Sequence, residues 1–321
     1  MARADFVTTA TAQFAADDRF ASMGNTAHVV VVAHDEPTAK ALLEKARRYA
    51  ATLETTWSRF IPTSDVSRLN SARGRLVRIS PDTEVLIRHL LAAYEATDGL
   101  FDPFVLPALI AAGYSTSLAG DGRISCAATA PIVRPSASSA YLETVDGETW
   151  CRLLDGATLD PGGLGKGLAA DIIAERLMLD GALGVLVSMG GDIRCMGNSP
   201  HPAGWVIDIE TPCHPAFGSS TVVMKSGGIA TSSINAKRWH NGHHVIDPST
   251  SSPVTDDTPF ALRQTTVIAS TAVWAEVFAT ATLVAGSSTA GLMVESRGLA
   301  GRFESVDGRP FMTNGFGRYA R

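Results

Sequence analysis

The sequence has 321 residues, of which 45% are hydrophobic and 18% are charged, a composition that excludes a disordered or fibrous chain. Its 27 basic and 32 acidic residues give a net charge of −5 at pH 7, so no overall positive field attracts nucleic acid or an anionic membrane. No apolar run reaches the roughly 18 residues that cross a bilayer, and we expect no membrane insertion.

The N-terminal segment mixes charged and small residues and lacks the apolar stretch of a secretory signal. We therefore expect a cytoplasmic protein with a flexible tail over residues 1–20 and one folded unit over residues 21–321. The cysteines lie far apart, without the CxxC spacing of zinc or redox sites, which predicts reduced, buried thiols at Cys126, Cys151, Cys195 and Cys213.

The first half of the chain predicts a strand followed by helices. A β-branched run at residues 27–33 is typical of a strand, and apolar residues at helical spacing predict helices over residues 37–56 and 83–97. Residues 115–139 are rich in Ser, Ala, Gly and Pro, which predicts a long surface connection and a candidate boundary between two lobes.

The second half of the chain predicts strands, turns and helices in mixed order. Residues 141–154 predict a hairpin around Asp146-Gly147, and a glycine-rich turn precedes a predicted helix over residues 168–179. Further strands are predicted at residues 184–188, 205–210, 220–225 and 265–269, and a further helix at residues 271–285. This order indicates an α+β fold of mixed, layered sheets and helices.

The densest glycine cluster, DPGGLGKG at residues 160–167, joins a predicted strand to a predicted helix. Glycines allow close approach of a ligand, and a helix N-terminus directs N–H groups at an anion, so phosphate is the expected ligand. Lys166 adds a positive charge to the loop. The Walker A and GxGxxG spacings are both absent, and a tight strand-to-helix turn without a ligand is the alternative interpretation.

The predicted helix at residues 271–285 is apolar on nearly every side and should be buried. It carries one carboxylate, Glu276, and Thr280 lies one turn later on the same face. A buried carboxylate requires protonation, a basic partner or a cation. A hard divalent ion such as Mg²⁺ suits carboxylate, hydroxyl and carbonyl oxygens, and an ion pair with an arginine is an equally good interpretation.

Three histidines, His240, His243 and His244, lie in a turn-rich segment. No cysteine or acidic residue follows at the spacing of a zinc site, so zinc is not predicted. A histidine near a phosphate can act as a general base or as a cationic clamp, and a surface histidine without a role is the alternative.

Eight blocks of the sequence occur in the order in which they occur in the FAD:protein FMN transferases, the ApbE family of flavin transferases, which the chain resembles from about residue 21 to residue 286. The blocks lie at residues 23–26, 57–60 with 67–70, 99–103, 160–167, 190–192, 230–232, 244–248 and 275–280. The resemblance implies an α+β fold of two lobes with the FAD and metal site in the cleft between them, and one catalytic unit over residues 21–321.

The resemblance also implies an activity and its residues. Family members use Mg²⁺ and move the FMN part of FAD to a Thr or Ser hydroxyl of an acceptor protein, with release of AMP. For this chain it implies metal ligation by the Gly163 carbonyl, Glu276 and Thr280. It implies contacts with the flavin or the adenine nucleotide at Met23, Phe60, Leu100, Phe101, Asp102, Asp160, Lys166 and Ile246.

On this basis His244, Lys166 and Glu276 are the predicted catalytic residues. His244 is expected to take the proton of the acceptor hydroxyl, with Asp192 or Asp247 orienting its ring. Phe60 and Phe101 are expected to pack on the rings of the dinucleotide.

The chain departs from the family pattern at three positions. Glu276 replaces the usual aspartate, Pro161 replaces an aliphatic residue, and Ser233 replaces a glycine whose access to positive φ predicts a changed turn. Three alternatives follow: an FAD pyrophosphatase with water as the nucleophile, an FAD-binding protein without turnover, and a nicotinamide dehydrogenase. The broken GxGxxG spacing disfavours the last of these.

Overall fold

The computed structural model describes residues 13–117, 125, 139–154, 156–210, 220–239 and 242–321. Most of the connection predicted at residues 115–139 therefore lies outside the described residues, as do Cys126, Cys213 and His240.

Strands and helices follow one another in the mixed order that the sequence predicts, which confirms the α+β class. The strands among the described residues are β1 Phe14–Ser22, β2 Asn25–Ala33, β3 Val77–Ile79, β4 Ala140–Val145, β5 Glu148–Leu153, β6 Gly184–Met189, β7 Asp192–Gly197, β8 Trp205–Ile209, β9 Ser220–Met224, β10 Gly227–Ser233, β11 Arg238–Trp239, β12 Gly242–His243, β13 Ile246–Asp247, β14 Ser252–Pro253, β15 Leu262–Ala269, β16 Ala300–Ser305 and β17 Pro310–Met312. The helices are α1 Glu36–Trp57, α2 Asp65–Ser71, α3 Pro81–Ala96, α4 Leu106–Ala111, α5 Gly165–Leu179, α6 Ala272–Ala285 and α7 Ser287–Glu295, with a 3₁₀ helix at Phe316–Arg318.

The main sheet is antiparallel throughout, in the order β1-β2-β6-β7-β10-β15-β16-β17. Side chains of a strand alternate between the two faces of a sheet. In β2, Val29 and Val31 pack with α1, α5 and α6, whereas Val30 and Val32 pack with the β8–β9 hairpin. Both faces of β2 are therefore covered, which explains its uninterrupted run of valines.

A smaller sheet, in the order β3-β5-β4, contains the predicted hairpin. Cys151 and Leu153 of β5 belong to the same apolar core as α1, α3 and α5. Cys151 and Cys195 are free and buried, which confirms the prediction for these two thiols, and burial raises the pKa of each to about 12. The arrangement in two lobes stays a prediction.

Helix ends follow the capping residues of the sequence. The Asp35 carboxylate accepts a hydrogen bond from the Thr38 amide at the start of α1, and Ser80 caps α3 in the same way. Proline occupies the first turn of both helices, where its missing N–H costs no hydrogen bond. No helix among the described residues is both long enough and apolar enough to cross a membrane.

Strand β1 corrects the prediction of a flexible tail that extends to residue 20. Its residues pair in register with β2 from Phe14 to Ser22. Phe14, Ala16 and Phe20 pack against the core, while Asp18 between them binds Arg47 of α1. The small, apolar and charged residues thus follow the two-residue alternation between core-facing and exposed side chains of an edge strand.

Candidate active site

Every residue that the sequence analysis assigned to catalysis, FAD or metal lines one cavity of about 280 Å³. The β1–β2 turn, the segment after α1, the segment between α3 and α4, the 160–167 loop, the β6–β7 turn, residues 231–237 and 244–246, and helix α6 supply its walls. The predicted residues brought together there are Met23, Phe60, Leu100, Phe101, Asp102, Asp160, Gly163, Lys166, His244, Ile246, Glu276 and Thr280.

Met23 reaches the cavity because of the tight turn between β1 and β2. Met23 and Gly24 both have positive φ, at 50° and 69°, as a two-residue turn between right-twisted strands requires. The two positive φ angles define the conformation of this turn, and the turn places Met23 at the cavity wall.

The 160–167 loop is fixed by contacts with neighbouring elements. The buried Asn70 side chain accepts a hydrogen bond from the Leu159 amide at 2.7 Å and donates one to the Leu159 carbonyl at 2.9 Å. A Cβ on Gly167 would lie 2.5 Å from the Ala272 carbonyl oxygen, and one on Gly163 would lie 2.8 Å from the Phe101 ring. These two glycines serve close packing, as the alternative interpretation of the loop expected.

The N-terminus of α5 already holds an anion from the protein. The Gly165 amide donates to the Pro161 carbonyl at 2.7 Å, and the Gly167 amide donates to Glu276 Oε2 at 2.7 Å. The phosphate expected at these amides would therefore have to displace existing hydrogen bonds. The structure assigns this helix end to the Glu276 carboxylate.

Asp171 positions the helix that carries Glu276. Its carboxylate accepts hydrogen bonds from the Ala272 and Val273 amides at 2.9 and 2.8 Å, and so caps α6 from α5. Arg194 Nε lies 3.3 Å from Asp171 Oδ1. Burial raises the pKa of Asp171 to about 6. The sequence analysis missed this residue, although an acid within the apolar run at residues 168–174 was a usable signal.

Lys166, Asp192 and Glu276 form a buried ionic network. Lys166 Nζ lies 2.7 Å from Glu276 Oε1 and also contacts Asp192 Oδ2. Burial and the charge of Asp192 raise the pKa of the Glu276 carboxyl. Burial opposes the charge of Lys166, but the two carboxylates outweigh it and raise its pKa. The basic partner of Glu276 is therefore a lysine, which agrees with the expectation of a basic partner but not with an arginine as that partner.

The chemistry of this network suits a hard cation. Two buried carboxylates share one ammonium group, which leaves one negative charge uncompensated. The Thr280 hydroxyl lies 3.0 Å from the Ser232 hydroxyl, and the Gly163 backbone lines the same cavity. Each Glu276 oxygen makes one hydrogen bond and keeps a second lone pair for a metal ion.

Arg59 organises an aromatic wall across the cavity. This buried guanidinium lies 3.3 Å from Asp160 Oδ1 and donates to the Tyr114 carbonyl at 3.0 Å. It lies 4.2 Å from the Phe60 ring centroid and 4.6 Å from that of Tyr114, and the Tyr114 ring stacks on Trp239 at 5.7 Å. Sequence reasoning gave no role to Arg59 and missed Tyr114 and Trp239, which no local pattern connects.

Phe101 and Phe60 differ in how much ring they present. Phe101 is 4% exposed and lies against Gly163, so it offers a ligand little surface. Phe60 is half-buried beside Arg59 and Tyr114. Asp102 accepts a hydrogen bond from the Phe104 amide at 2.8 Å, and burial raises the pKa of its carboxyl.

The ring of His244 is oriented by a backbone carbonyl. Its Nδ1 lies 3.2 Å from the Lys237 carbonyl oxygen, which can only accept, so Nδ1 carries the proton and Nε2 keeps the lone pair. Burial and the Lys237 ammonium lower the pKa of His244 to about 3, which makes the ring neutral at pH 7.

The carboxylates expected to orient His244 have other partners. Asp192 binds Lys166, and Asp247 Oδ1 accepts from the Ser249 amide at 2.8 Å, where it stabilises a turn. The expectation that Asp192 or Asp247 orients the His244 ring is therefore wrong. His243 is buried, its Nε2 2.9 Å from the Val254 carbonyl, so its role is structural.

The model of the ApbE family matches residues 23–303. The chain belongs to the ApbE family. The FAD:protein FMN transferase of Escherichia coli K12 is 32% identical over 158 residues, which cover 47% of this chain and 43% of that protein. A second relative of that name, from Klebsiella pneumoniae, is 26% identical over 277 residues, which cover 80% of this chain and 78% of that protein.

A crystal structure of an ApbE protein shows the same fold. The ApbE protein of Thermotoga maritima superposes with a TM-score of 0.80 at 22% identity, over 96% of this chain and 100% of that one. Membership of the ApbE family confirms the resemblance given by the eight sequence blocks.

Of the departures from the ApbE pattern, Ser233 has a simple structural explanation. Ser233 ends β10 paired with Gln264, and its φ is not positive. In this chain the position does not need the conformational freedom of glycine, and a turn that differs from the family pattern stays a prediction. At a second departure, the longer Glu276 reaches both Lys166 and the Gly167 amide.

Proposed function

We propose that this chain transfers the FMN part of FAD to a Thr or Ser hydroxyl of an acceptor protein and releases AMP. The observation that carries the proposal is the convergence of all the family-assigned residues on one cavity. The curated relatives named FAD:protein FMN transferase support the same reaction.

The residues suited to Mg²⁺ lie at the α6 side of the cavity. The Gly163 carbonyl, the Glu276 carboxylate and the Thr280 hydroxyl would hold the ion, and the uncompensated negative charge of the network favours it. When bound, Mg²⁺ supplies Lewis acidity that lowers the negative charge on the phosphoryl oxygens.

The chain's own groups bind, orient and move a proton. Lys166 donates to Asp192 and Glu276 and keeps its third N–H donor for a phosphate oxygen. Neutral His244 accepts the proton of the acceptor hydroxyl at Nε2. The hydroxyl oxygen then bonds to the FMN-side phosphorus, the bond from that phosphorus to the AMP oxygen breaks, and AMP leaves with the electron pair.

The test is mass spectrometry of an acceptor domain after incubation with this protein, FAD and Mg²⁺. We expect a mass gain equal to FMN on the acceptor, and none on an acceptor whose target threonine is changed to valine. Reaction with a known ApbE transferase is the positive control. Free FMN with an unmodified acceptor would instead support the pyrophosphatase, and bound, unreacted FAD would support the binding protein.

A further inference from the structure

Lys237 differs from the other cations that line the cavity. Arg59 pairs with Asp160, and Lys166 pairs with Asp192 and Glu276. Within the part of the chain that the structure describes, no carboxylate forms an ion pair with Lys237, which is half-buried at the cavity wall.

The surroundings of Lys237 favour the arrival of an anion. Its Nζ lies 5.8 Å from the Tyr114 ring centroid, and the Arg59 guanidinium lies 4.6 Å from the same centroid. Two cations thus share one ring. Burial and the charge of Lys166 lower the pKa of Lys237 by more than the charges of Asp160 and Glu276 raise it, so an anion bound to the ammonium would stabilise its charged form.

The position of Lys237 also relates it to the reacting groups. Its backbone carbonyl accepts from the His244 amide and from His244 Nδ1, each at 3.2 Å. The Lys237 ammonium also acts electrostatically on the His244 ring, so an anion held by the ammonium lies within reach of the candidate base. The Tyr114 ring lines the cavity beside the ammonium, which suits a ligand that joins a phosphate to an aromatic ring system.

Charge balance indicates where a diphosphate finds its compensation. Apart from the Mg²⁺ of the proposed function, the protein's own cations Lys166 and Arg59 are engaged by carboxylates, so neither is a free positive charge for a diphosphate. We propose that the Lys237 ammonium binds the diphosphate of the dinucleotide substrate and holds it beside His244. This inference rests on the proposed function, because the dinucleotide is the substrate of that reaction.

Equilibrium binding to wild type and to Lys237→Met tests the inference without turnover. FAD, riboflavin and inorganic pyrophosphate are titrated by calorimetry in the absence of an acceptor. We expect Lys237→Met to weaken FAD and pyrophosphate binding by about tenfold to a hundredfold, the range of a charge-assisted hydrogen bond to phosphate. Riboflavin has no phosphate, so its binding should be unchanged.

Arg238→Met is the matched control, since it removes the same charge one residue later. Arg238 is exposed, pairs with Asp256 at 3.2 Å and does not line the cavity. Its binding of all three ligands should equal that of wild type. Lys237→Arg should recover part of the lost affinity, and circular dichroism confirms the fold of each variant.

The outcomes separate the inference from the proposed function. Equal losses for FAD and riboflavin, or equal losses in Lys237→Met and Arg238→Met, would overturn the role of Lys237. If wild type binds pyrophosphate but not FAD, the proposed function fails, and loss of pyrophosphate binding in Lys237→Met still supports the phosphate site. If wild type binds neither, both fail.

Discussion

The two ends of the cavity satisfy their charges in different ways. At the α6 end, defined by Lys166, Asp192 and Glu276, the ammonium and both carboxylates bind one another within the protein. At the aromatic end, defined by Arg59, Phe60, Tyr114 and Lys237, cations lie on rings, and Lys237 forms no ion pair among the described residues. The charged groups of the α6 end are paired with one another before a ligand binds, whereas at the aromatic end the Lys237 charge is paired only when a ligand binds.

This contrast predicts different consequences of substitution. Removal of one partner from a buried ionic network leaves a charge without compensation and costs about 3–5 kcal/mol, whereas a single cation–π contact contributes about 0.5–2 kcal/mol. Changes at the α6 end should therefore lower the rate and the free energy of unfolding, and changes at the aromatic end should affect ligand affinity and pH dependence.

The largest effect is expected from Glu276→Ala at the α6 end. Loss of this carboxylate removes a metal-binding oxygen and one anchor of Lys166. We expect the rate of FMN transfer to fall about a thousandfold, or about 4 kcal/mol in the activation free energy. Transfer rates at saturating FAD and Mg²⁺ measure the effect.

Glu175→Ala is the control for Glu276→Ala. Glu175 is an exposed carboxylate on α5 and does not line the cavity, so its loss should leave the rate unchanged. The Glu276 variant should remain folded, because Lys166 keeps Asp192 as a partner. Full activity of Glu276→Ala would refute its assignment as a metal ligand.

A smaller effect, on stability, is expected from Asp171→Ala, which removes the carboxylate that caps the N-terminus of α6. The Ala272 and Val273 amides lose their acceptor, and buried Arg194 loses a nearby carboxylate. We expect the free energy of unfolding to fall by about 3 kcal/mol in urea titrations, with Glu175→Ala again unchanged. A loss under about 1 kcal/mol would show that α6 is held by packing alone.

The α6 end could be predicted from the sequence because its signals are local. Two signals are each contained in a short stretch of sequence: one carboxylate in an apolar helix, and a glycine cluster before another helix. A buried acid also requires a partner that compensates its charge. Short sequence segments could not identify that partner, because Lys166 lies 110 residues before Glu276 and only the fold brings them together.

The aromatic end could not be predicted for the same reason. Arg59, Tyr114 and Lys237 come from three distant segments, and no spacing rule relates them. The strand at Phe14–Ser22 was missed because its alternating residues look polar on average, and only pairing with β2 shows which of them face the core.

The smallest effect is a change in pH dependence at the aromatic end. Burial and then Lys237 hold the pKa of His244 at about 3, with Lys166 and His243 acting in the same direction. The ring can take a proton only when neutral, so activity is lost as the pH falls through this pKa. In wild type, His244 should therefore contribute no acid limb to kcat/KM near neutral pH.

Lys237→Met removes one of the charges that oppose protonation of His244, so the pKa of the ring rises and the acid limb of kcat/KM moves to higher pH. Bound diphosphate should act similarly in wild type, because it offsets the Lys237 charge. The acid limb of kcat, which reports the enzyme with bound substrate, should then lie at higher pH than the acid limb of kcat/KM, which reports the free enzyme. In Lys237→Met this separation should shrink. Superimposable pH profiles for wild type, Lys237→Met and Arg238→Met would show that Lys237 and His244 are not electrostatically coupled.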